Sequence, residues 1–86
     1  METIDCRESS NIAAIRYHLE AGLLYVDFKN AAGATVSTYA YDGSLLDDTA
    51  TVPGFPLAEW EALKAAPSKG KHFAENIRKK YRGRKL

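Results

Sequence analysis

Cysteine is almost absent from this sequence of 86 residues, which contains only Cys6. One cysteine cannot form an internal disulfide, and without a C-x-x-C pair there is no signature of a structural metal site. No apolar run is long enough to span a membrane. The first ten residues include acidic side chains and no apolar segment of the secretory type, so we expect a cytoplasmic protein that does not bind membranes.

The sequence also lacks the common motifs of catalysis and nucleotide binding, namely GxxxxGK[ST], GxGxxG and HExxH. Cys6, His18 and His72 are far apart along the chain and fall on different predicted elements. Asp47 and Asp48 form a carboxylate pair, but no second acidic cluster is available to complete a divalent-cation site. We therefore predict no enzymatic activity, no catalytic residue, no metal, no cofactor and no small-molecule substrate.

Composition is that of an ordinary small globular domain, with 45% hydrophobic and 27% charged residues. A chain of this length forms one domain with a thin core. We predict a flexible N-terminus over residues 1–10, one domain over residues 11–82, and a basic tail over residues 83–86.

Three strands are predicted between Asn11 and Tyr41. The segment IAAIRYHL alternates apolar and polar residues, LLYVDFK alternates more regularly, and ATVSTYAY is rich in β-branched and aromatic residues. Short turns, EAG and NAAG, separate them. Residues 42–56 contain several Asp, Gly and Pro residues and are predicted to form an acidic loop, with Leu45 and Leu46 as candidate anchors or as part of a hidden fourth strand.

Two helices are predicted after this loop. Leu57, Trp60 and Leu63 form an apolar stripe at three-residue spacing, and Pro67 ends that helix. Ser68 is the expected N-cap of the second helix, whose apolar positions recur every four residues and which is predicted to end near Gly83. The predicted fold class is α+β: a three-stranded antiparallel meander followed by two α-helices packed on one face.

Charge is distributed very unevenly along the chain. Residues 69–86 hold eight of the twelve Lys and Arg residues and one acidic residue, which gives a net charge of +7. Residues 1–68 hold four basic and ten acidic residues, which gives −6. Either the C-terminal segment faces a polyanion, or it neutralises the acidic remainder of the chain.

The polyanion hypothesis predicts a nucleic-acid-binding surface, with RNA favoured over DNA. Lys69 and the Gly70 backbone would hold a phosphate at the start of the second helix. The side chains predicted to contact further phosphates are Lys71, Arg78, Lys79, Arg82, Arg84 and Lys85.

Tyr39 and Tyr41 lie two residues apart on one face of the third strand. Paired aromatic residues on a sheet are used by RNA-binding modules to stack bases, and Tyr25 would join them if the register allowed. The alternative is that both rings fill the core, because Val36, Thr38 and Ala40 on the other face are small for a core.

The order of several short motifs resembles the KTSC domain family over roughly residues 9–82. The matching residues are Ser9, Ser10, Ile12, Tyr39, Tyr41, Val52, Pro53, Ser68, Gly70, Phe73, Ile77 and Tyr81. The family is named for its place at the C-terminus of some lysyl-tRNA synthetases, and it also occurs as a small free-standing protein. The resemblance implies an RNA-binding role, which is a proposal for the family itself. One departure is the acidic insertion DGSLLDDTAT between Tyr41 and Val52.

A second hypothesis makes the chain a small protein-interaction domain, or a modulator of the phage or plasmid type that binds a host protein. The acidic loop would supply Asp42, Asp47 and Asp48, and the apolar contacts would come from Leu45, Leu46 and Phe55. Charge complementarity would then govern the association rate and selectivity more than the affinity.

Overall fold

The computed structural model describes residues 1–6, 9–46 and 54–86. Within them the chain forms five β-strands and two helices, the second of which continues into a π-helical turn. In chain order these are β1 (Glu2–Asp5), β2 (Ile12–His18), β3 (Leu23–Lys29), β4 (Thr35–Leu45), α1 (Leu57–Ala65), α2 (Lys69–His72), the π-helical turn (Phe73–Ile77) and β5 (Tyr81–Lys85). None of the helices in these ranges is long and apolar enough to cross a membrane.

The strands form one antiparallel sheet in the order β1-β2-β3-β4-β5. The prediction of an α+β fold with an antiparallel meander and two helices is confirmed. The prediction of three strands was incomplete, because one further strand is added at each edge of the sheet.

Both helices pack on one face of the sheet, which we call the inner face. Trp60 and Leu63 of α1, together with Phe73 and Ile77 of the π-helical turn, are buried in one cluster with the inner-face residues. The members contributed by the sheet are Ile12, Ile15, Tyr17, Leu24, Val26, Tyr41 and Tyr81. Burial of this apolar surface is the main favourable term in folding, and it is shared between elements that cannot hide it alone.

The N-terminus forms an edge strand over Glu2–Asp5, within the segment 1–10 that was predicted to be flexible. The Trp60 indole nitrogen donates to the Glu2 carboxylate at 2.9 Å, and Lys64 contacts the same carboxylate at 3.3 Å. These contacts lower the pKa of Glu2, the hydrogen bond from Trp60 being the larger cause. The strand is held by partners on α1 that lie 58 and 62 positions away in sequence.

The C-terminus is the other edge strand, so the prediction of a helix ending near Gly83 was wrong, and the segment 83–86 predicted as a basic tail includes the last residues of that strand. The helical segment ends at Ile77, a turn follows, and Tyr81 begins β5, which pairs with β4. Tyr81 is buried as predicted, but from a strand. Pairing gives the backbone polar groups of this segment partners that a frayed helix end would leave to water.

Strand β4 is longer than predicted, because it continues through residues assigned to the acidic loop. Leu45 pairs with Tyr81 of β5 and packs against the core. Residues 42–45 therefore belong to the sheet, and the register shifts between Tyr41 and Leu45. The remainder of the predicted loop includes residues 47–53, which lie outside the described residues.

Two glycines bring the β2–β3 turn against the segment before α1. An ideal Cβ on Gly22 would lie only 2.7 Å from the Gly54 Cα, and Gly22 has a φ of +67°. The Gly22 carbonyl accepts a hydrogen bond from the Phe55 N–H at 2.8 Å. No side chain fits between these backbones, so glycine is required for the contact that buries Phe55.

Candidate nucleic-acid interface

The start of α2 was predicted to hold a phosphate through Lys69 and the Gly70 backbone, but the Lys69 ammonium has partners within the chain. The Lys69 ammonium donates to the carbonyls of Lys64 and Ala66, at 2.5 Å and 2.6 Å, and so satisfies the C-terminal end of α1. Ser68 is the N-cap, as predicted, and its hydroxyl accepts from the Lys71 N–H at 3.3 Å. This arrangement stabilises the junction of two helices and leaves Lys69 little freedom to meet a ligand.

Gly70 packs against the N-terminal part of the chain. An ideal Cβ on Gly70 would lie 3.0 Å from the Ser9 hydroxyl oxygen, which itself accepts hydrogen bonds from the backbone of Asn11 and Ile12. Two of the motif positions that suggested the family, Ser9 and Gly70, are thus neighbours in the structure. Their contact explains the requirement for a small residue at position 70 without a ligand.

A cleft opens between the sheet and the π-helical turn, and we call it the tyrosine cleft. It has a volume of about 300 Å³. The residues that line it are Asn11, Phe28, Ser37, Tyr39, Tyr41 and Arg78. Lys85 of β5 is the register partner of Tyr39, which puts a second cation beside this part of the sheet.

The two tyrosines of the Tyr-x-Tyr motif differ in accessibility. Tyr41 is only 4% exposed and meets Phe73 edge to face at 5.7 Å, so it is a core residue and has no free face on which a base can stack. Burial raises the pKa of Tyr41, and the nearby charge of Arg78 partly opposes this. Tyr39 is half-buried and packs edge-on against Phe28 at 5.5 Å. Of the pair, Tyr39 alone retains exposed surface in the cleft.

Five exposed cations are grouped around β5 and the turn before it, and we call them the basic edge. They are Arg78, Lys79, Arg82, Arg84 and Lys85. Arg82 and Arg84 alternate with Tyr81 and Gly83 along the strand, so they project from the face opposite the helices. Arg78 and Lys85 lie on the tyrosine-cleft side. The basic edge therefore presents positive charge on both sides of one sheet edge.

The cations of the basic edge differ from Lys64 and Lys80 in forming no ion pair within the described part of the chain. Among the described residues, none of the five has a carboxylate within 4 Å, whereas Lys80 pairs with Glu59 at 3.3 Å and Lys64 pairs with both Glu2 and Glu61. Self-neutralisation accordingly accounts for Lys64 and Lys80 but not for the basic edge.

Lys71 is exposed and lies apart from the tyrosine cleft. It lines a different groove, together with Pro67, His72 and Glu75, on the helical segment itself. The predicted phosphate contacts thus separate into the α2 start, this groove and the basic edge, and only the basic edge adjoins an accessible tyrosine.

The acidic and apolar residues of the protein-interaction hypothesis do not form one exposed surface. Phe55 is 3% exposed, in contact with Tyr17 and Tyr81, and Leu45 packs on the core. Leu46 is 44% exposed and Asp42 is exposed. Asp47 and Asp48 lie outside the described residues.

Within the described residues no group of three or more His, Cys, Asp or Glu side chains is placed to hold a metal ion. Cys6 is buried, and this burial raises the pKa of its thiol.

The half-buried Tyr25 lies on the opposite face of the sheet from the Tyr-x-Tyr motif. Tyr25 pairs with Ala40, whereas Tyr39 pairs with Val26, so Tyr25 projects from the face opposite Tyr39 and Tyr41. The condition set for Tyr25 to join the other two tyrosines, a suitable register, is therefore not met. The alternation of LLYVDFK already indicated this, because Leu24 and Val26 occupy the core positions on either side of Tyr25.

Comparison with known proteins gives one family. The model of the KTSC domain matches residues 53–81, which are 29 of the 86 residues and contain α1, α2, the π-helical turn and the first residue of β5. This match confirms the family resemblance, and it does not include Ser9 or the Tyr-x-Tyr motif. A search of the curated proteins found no match.

Proposed function

We propose that this chain, whose residues 53–81 match the KTSC domain, is a non-enzymatic module that binds single-stranded RNA through the basic edge. The observation that carries the proposal is the set of five exposed cations with no acidic partner among the described residues. Exposed like charges that repel one another on a folded surface are relieved by an anionic partner.

Phosphates are the expected partner of the basic edge because the cations follow an extended strand and the turn beside it. β5 spans Tyr81–Lys85 at about 3.3 Å per residue, so its cations are spread along a line and are not focused into one pocket. A linear array of Arg and Lys matches a nucleic-acid backbone better than a single small anion. Such contacts position the strand without reading its sequence.

The preference for single strands comes from the tyrosine cleft. A base can stack on an aromatic ring only when it is unpaired and unstacked from its neighbours. Tyr39 is the half-buried ring beside Arg78 and Lys85, so a base turned toward the cleft would meet Tyr39 while its phosphates meet the cations. RNA is favoured over DNA because of the resemblance to the KTSC family.

A protein partner is the alternative occupant of this chain's surface. Two of the residues that this hypothesis requires at the surface, Phe55 and Leu45, pack in or against the core. Of the others it named, only Asp42 and Leu46 are exposed in the described part of the chain. The observations favour the nucleic acid, and binding of a protein remains an outcome that the following experiment distinguishes.

The proposal is tested by measuring the affinity of the full chain for a short single-stranded RNA over a series of salt concentrations. If the five cations each neutralise one phosphate, the logarithm of the affinity should fall by about 3.5 for each tenfold increase in salt, since each contact contributes about 0.7 on a single strand. A matched DNA duplex is the comparison, and it should bind more weakly. Absence of RNA binding at low salt, combined with a partner captured from nuclease-treated lysate, would contradict the proposal and favour a protein ligand.

A further inference from the structure

Tyr25 lies on the face of the sheet that carries no helix in the described part of the chain, which we call the outer face. A row of four residues crosses this face from strand to strand. The register aligns Arg16 of β2 with Tyr25 of β3, Tyr25 with Ala40 of β4, and Ala40 with Arg84 of β5. Tyr25 is half-buried. The sheet therefore places one aromatic ring between two arginine positions.

Arg16 is fixed beside the ring on one side. Its guanidinium carbon lies 5.0 Å from the centroid of Tyr25, a cation–π contact. The guanidinium also donates to the Asp27 carboxylate at 2.9 Å, and the Thr38 hydroxyl donates to the same oxygen at 2.7 Å. Asp27 is thus occupied by two partners on the sheet, and it holds Arg16 against one side of Tyr25.

On the β4 side of Tyr25, its register partner Ala40 lines a depression. Ala40 is the small residue between Tyr25 and Arg84, and it lines a groove of about 340 Å³ whose other walls include Leu23, Arg82 and Arg84. Asp42 is the one acidic residue of this groove, and hydrogen bonds from Ser44 lower its pKa. The groove carries two exposed arginines against one carboxylate that already has a hydrogen-bond partner.

We infer that the outer face stacks an unpaired RNA base on Tyr25, with Arg84 and Arg82 contacting the adjacent phosphates. A single-stranded RNA matches both features of this face. The aromatic ring supplies a surface on which a base can stack, and the positive charge of the arginines beside it complements the phosphates. Arg82 and Arg84 belong to the basic edge as well, so one strand of RNA passes from the tyrosine cleft over β5 onto the outer face. This inference rests on the proposed function and adds a base-stacking position to it.

The test compares Tyr25→Ala and Tyr25→Phe with the unchanged chain, using a short single-stranded RNA and, as a probe without bases, inorganic polyphosphate. Loss of the ring in Tyr25→Ala should weaken RNA binding by on the order of tenfold or more, because stacking of one base contributes that much to affinity. Tyr25→Phe keeps the ring and should bind RNA as the unchanged chain does. Polyphosphate affinity should be the same for all three proteins.

Each outcome decides one claim. Equal RNA affinity of Tyr25→Ala and the unchanged chain would overturn the stacking position and leave the basic edge standing, whereas no RNA binding by the unchanged chain would overturn both. A second measurement does not depend on the folding of a variant: RNA added to the unchanged chain should shift the ring protons of Tyr25 upfield in NMR spectra. Ring signals that stay in place while RNA is bound would also overturn the inference.

Discussion

Reversing the charges of Arg78 and Lys79 to glutamate is expected to lower the affinity for single-stranded RNA by on the order of fiftyfold at about 50 mM salt. Because two of the five cations of the basic edge are removed, the slope of the logarithm of the affinity against the logarithm of the salt concentration should become shallower by about 1.4. Both side chains are exposed and have no acidic partner in the described part of the chain, so the change should leave folding intact. Fluorescence anisotropy of labelled RNA at several salt concentrations measures both quantities.

The control for this prediction separates position from net charge. Lys71→Glu alters the total charge as much as Arg78→Glu does, and Lys71 is also exposed, but it lines a separate groove with His72 and Glu75. We expect Arg78→Glu to weaken RNA binding severalfold and Lys71→Glu to have a much smaller effect. Equal losses in the two variants would mean that only the overall charge matters and that the basic edge is not the binding surface.

Replacing Gly22 with alanine is expected to lower the free energy of unfolding by about 2–5 kcal/mol. About 1–2 kcal/mol comes from holding a non-glycine residue in the left-handed region, where Gly22 has a φ of +67°. A further amount of about 1–3 kcal/mol comes from overpacking, since the new Cβ would lie 2.7 Å from the Gly54 Cα. Urea denaturation gives the value.

Gly33 provides the matched control for this substitution. It too has a positive φ, +87°, but an ideal Cβ there has no heavy atom within 4 Å. Gly33→Ala should therefore cost only the conformational part, about 1–2 kcal/mol. If the two alanine variants lost the same stability, the close approach of the Gly22 and Gly54 backbones would not be a constraint on the fold.

Elements with a strong local pattern were predictable from the sequence. Strands β2 and β3 show apolar alternation, and α1 carries Trp60 and Leu63 on one stripe; all three were placed correctly because the pattern of a half-buried element repeats within a few residues. The N-cap at Ser68 was predictable for the same reason, since capping depends on a side chain three residues from its partner.

The two edge strands were not predictable in this way. β1 has four residues, and what holds it is the contact of Glu2 with Trp60 and Lys64, which no local pattern reveals. β5 was hidden by the spacing of Phe73, Ile77 and Tyr81, which fits a helix although Tyr81 is buried from a strand. In both segments long-range pairing overrides the local preference.

Part of the candidate site was predictable from charge alone, and its arrangement was not. The charge pattern singled out the five cations of the basic edge, which are exposed, but their division between two faces follows from β5 being a strand. Lys69 was indistinguishable from them in sequence, and only the geometry shows that it satisfies carbonyls of α1. Tyr39 and Tyr41 are equivalent in the sequence motif, yet the contact of Tyr41 with Phe73 places Tyr41 in the core.

The uneven distribution of charge therefore has two components. The acidic part of the chain provides partners for a few lysines, such as Lys64 with Glu2 and Lys80 with Glu59. Exposed ion pairs of this kind contribute little to stability, with a median of about 0–1 kcal/mol. The five cations of the basic edge form no ion pair in the described part of the chain, and in the proposed complex they would contact the phosphates of the RNA.

The most direct measurement is a titration of ¹⁵N-labelled protein with a short single-stranded RNA, at one low and one high salt concentration. We expect the largest shifts at Arg78, Lys79 and residues 82–85, with a further shift at Tyr39, and we expect all of them to diminish steeply at high salt. Signals of the basic edge that do not move at low salt, while the protein remains folded, would contradict the proposal that this surface binds RNA.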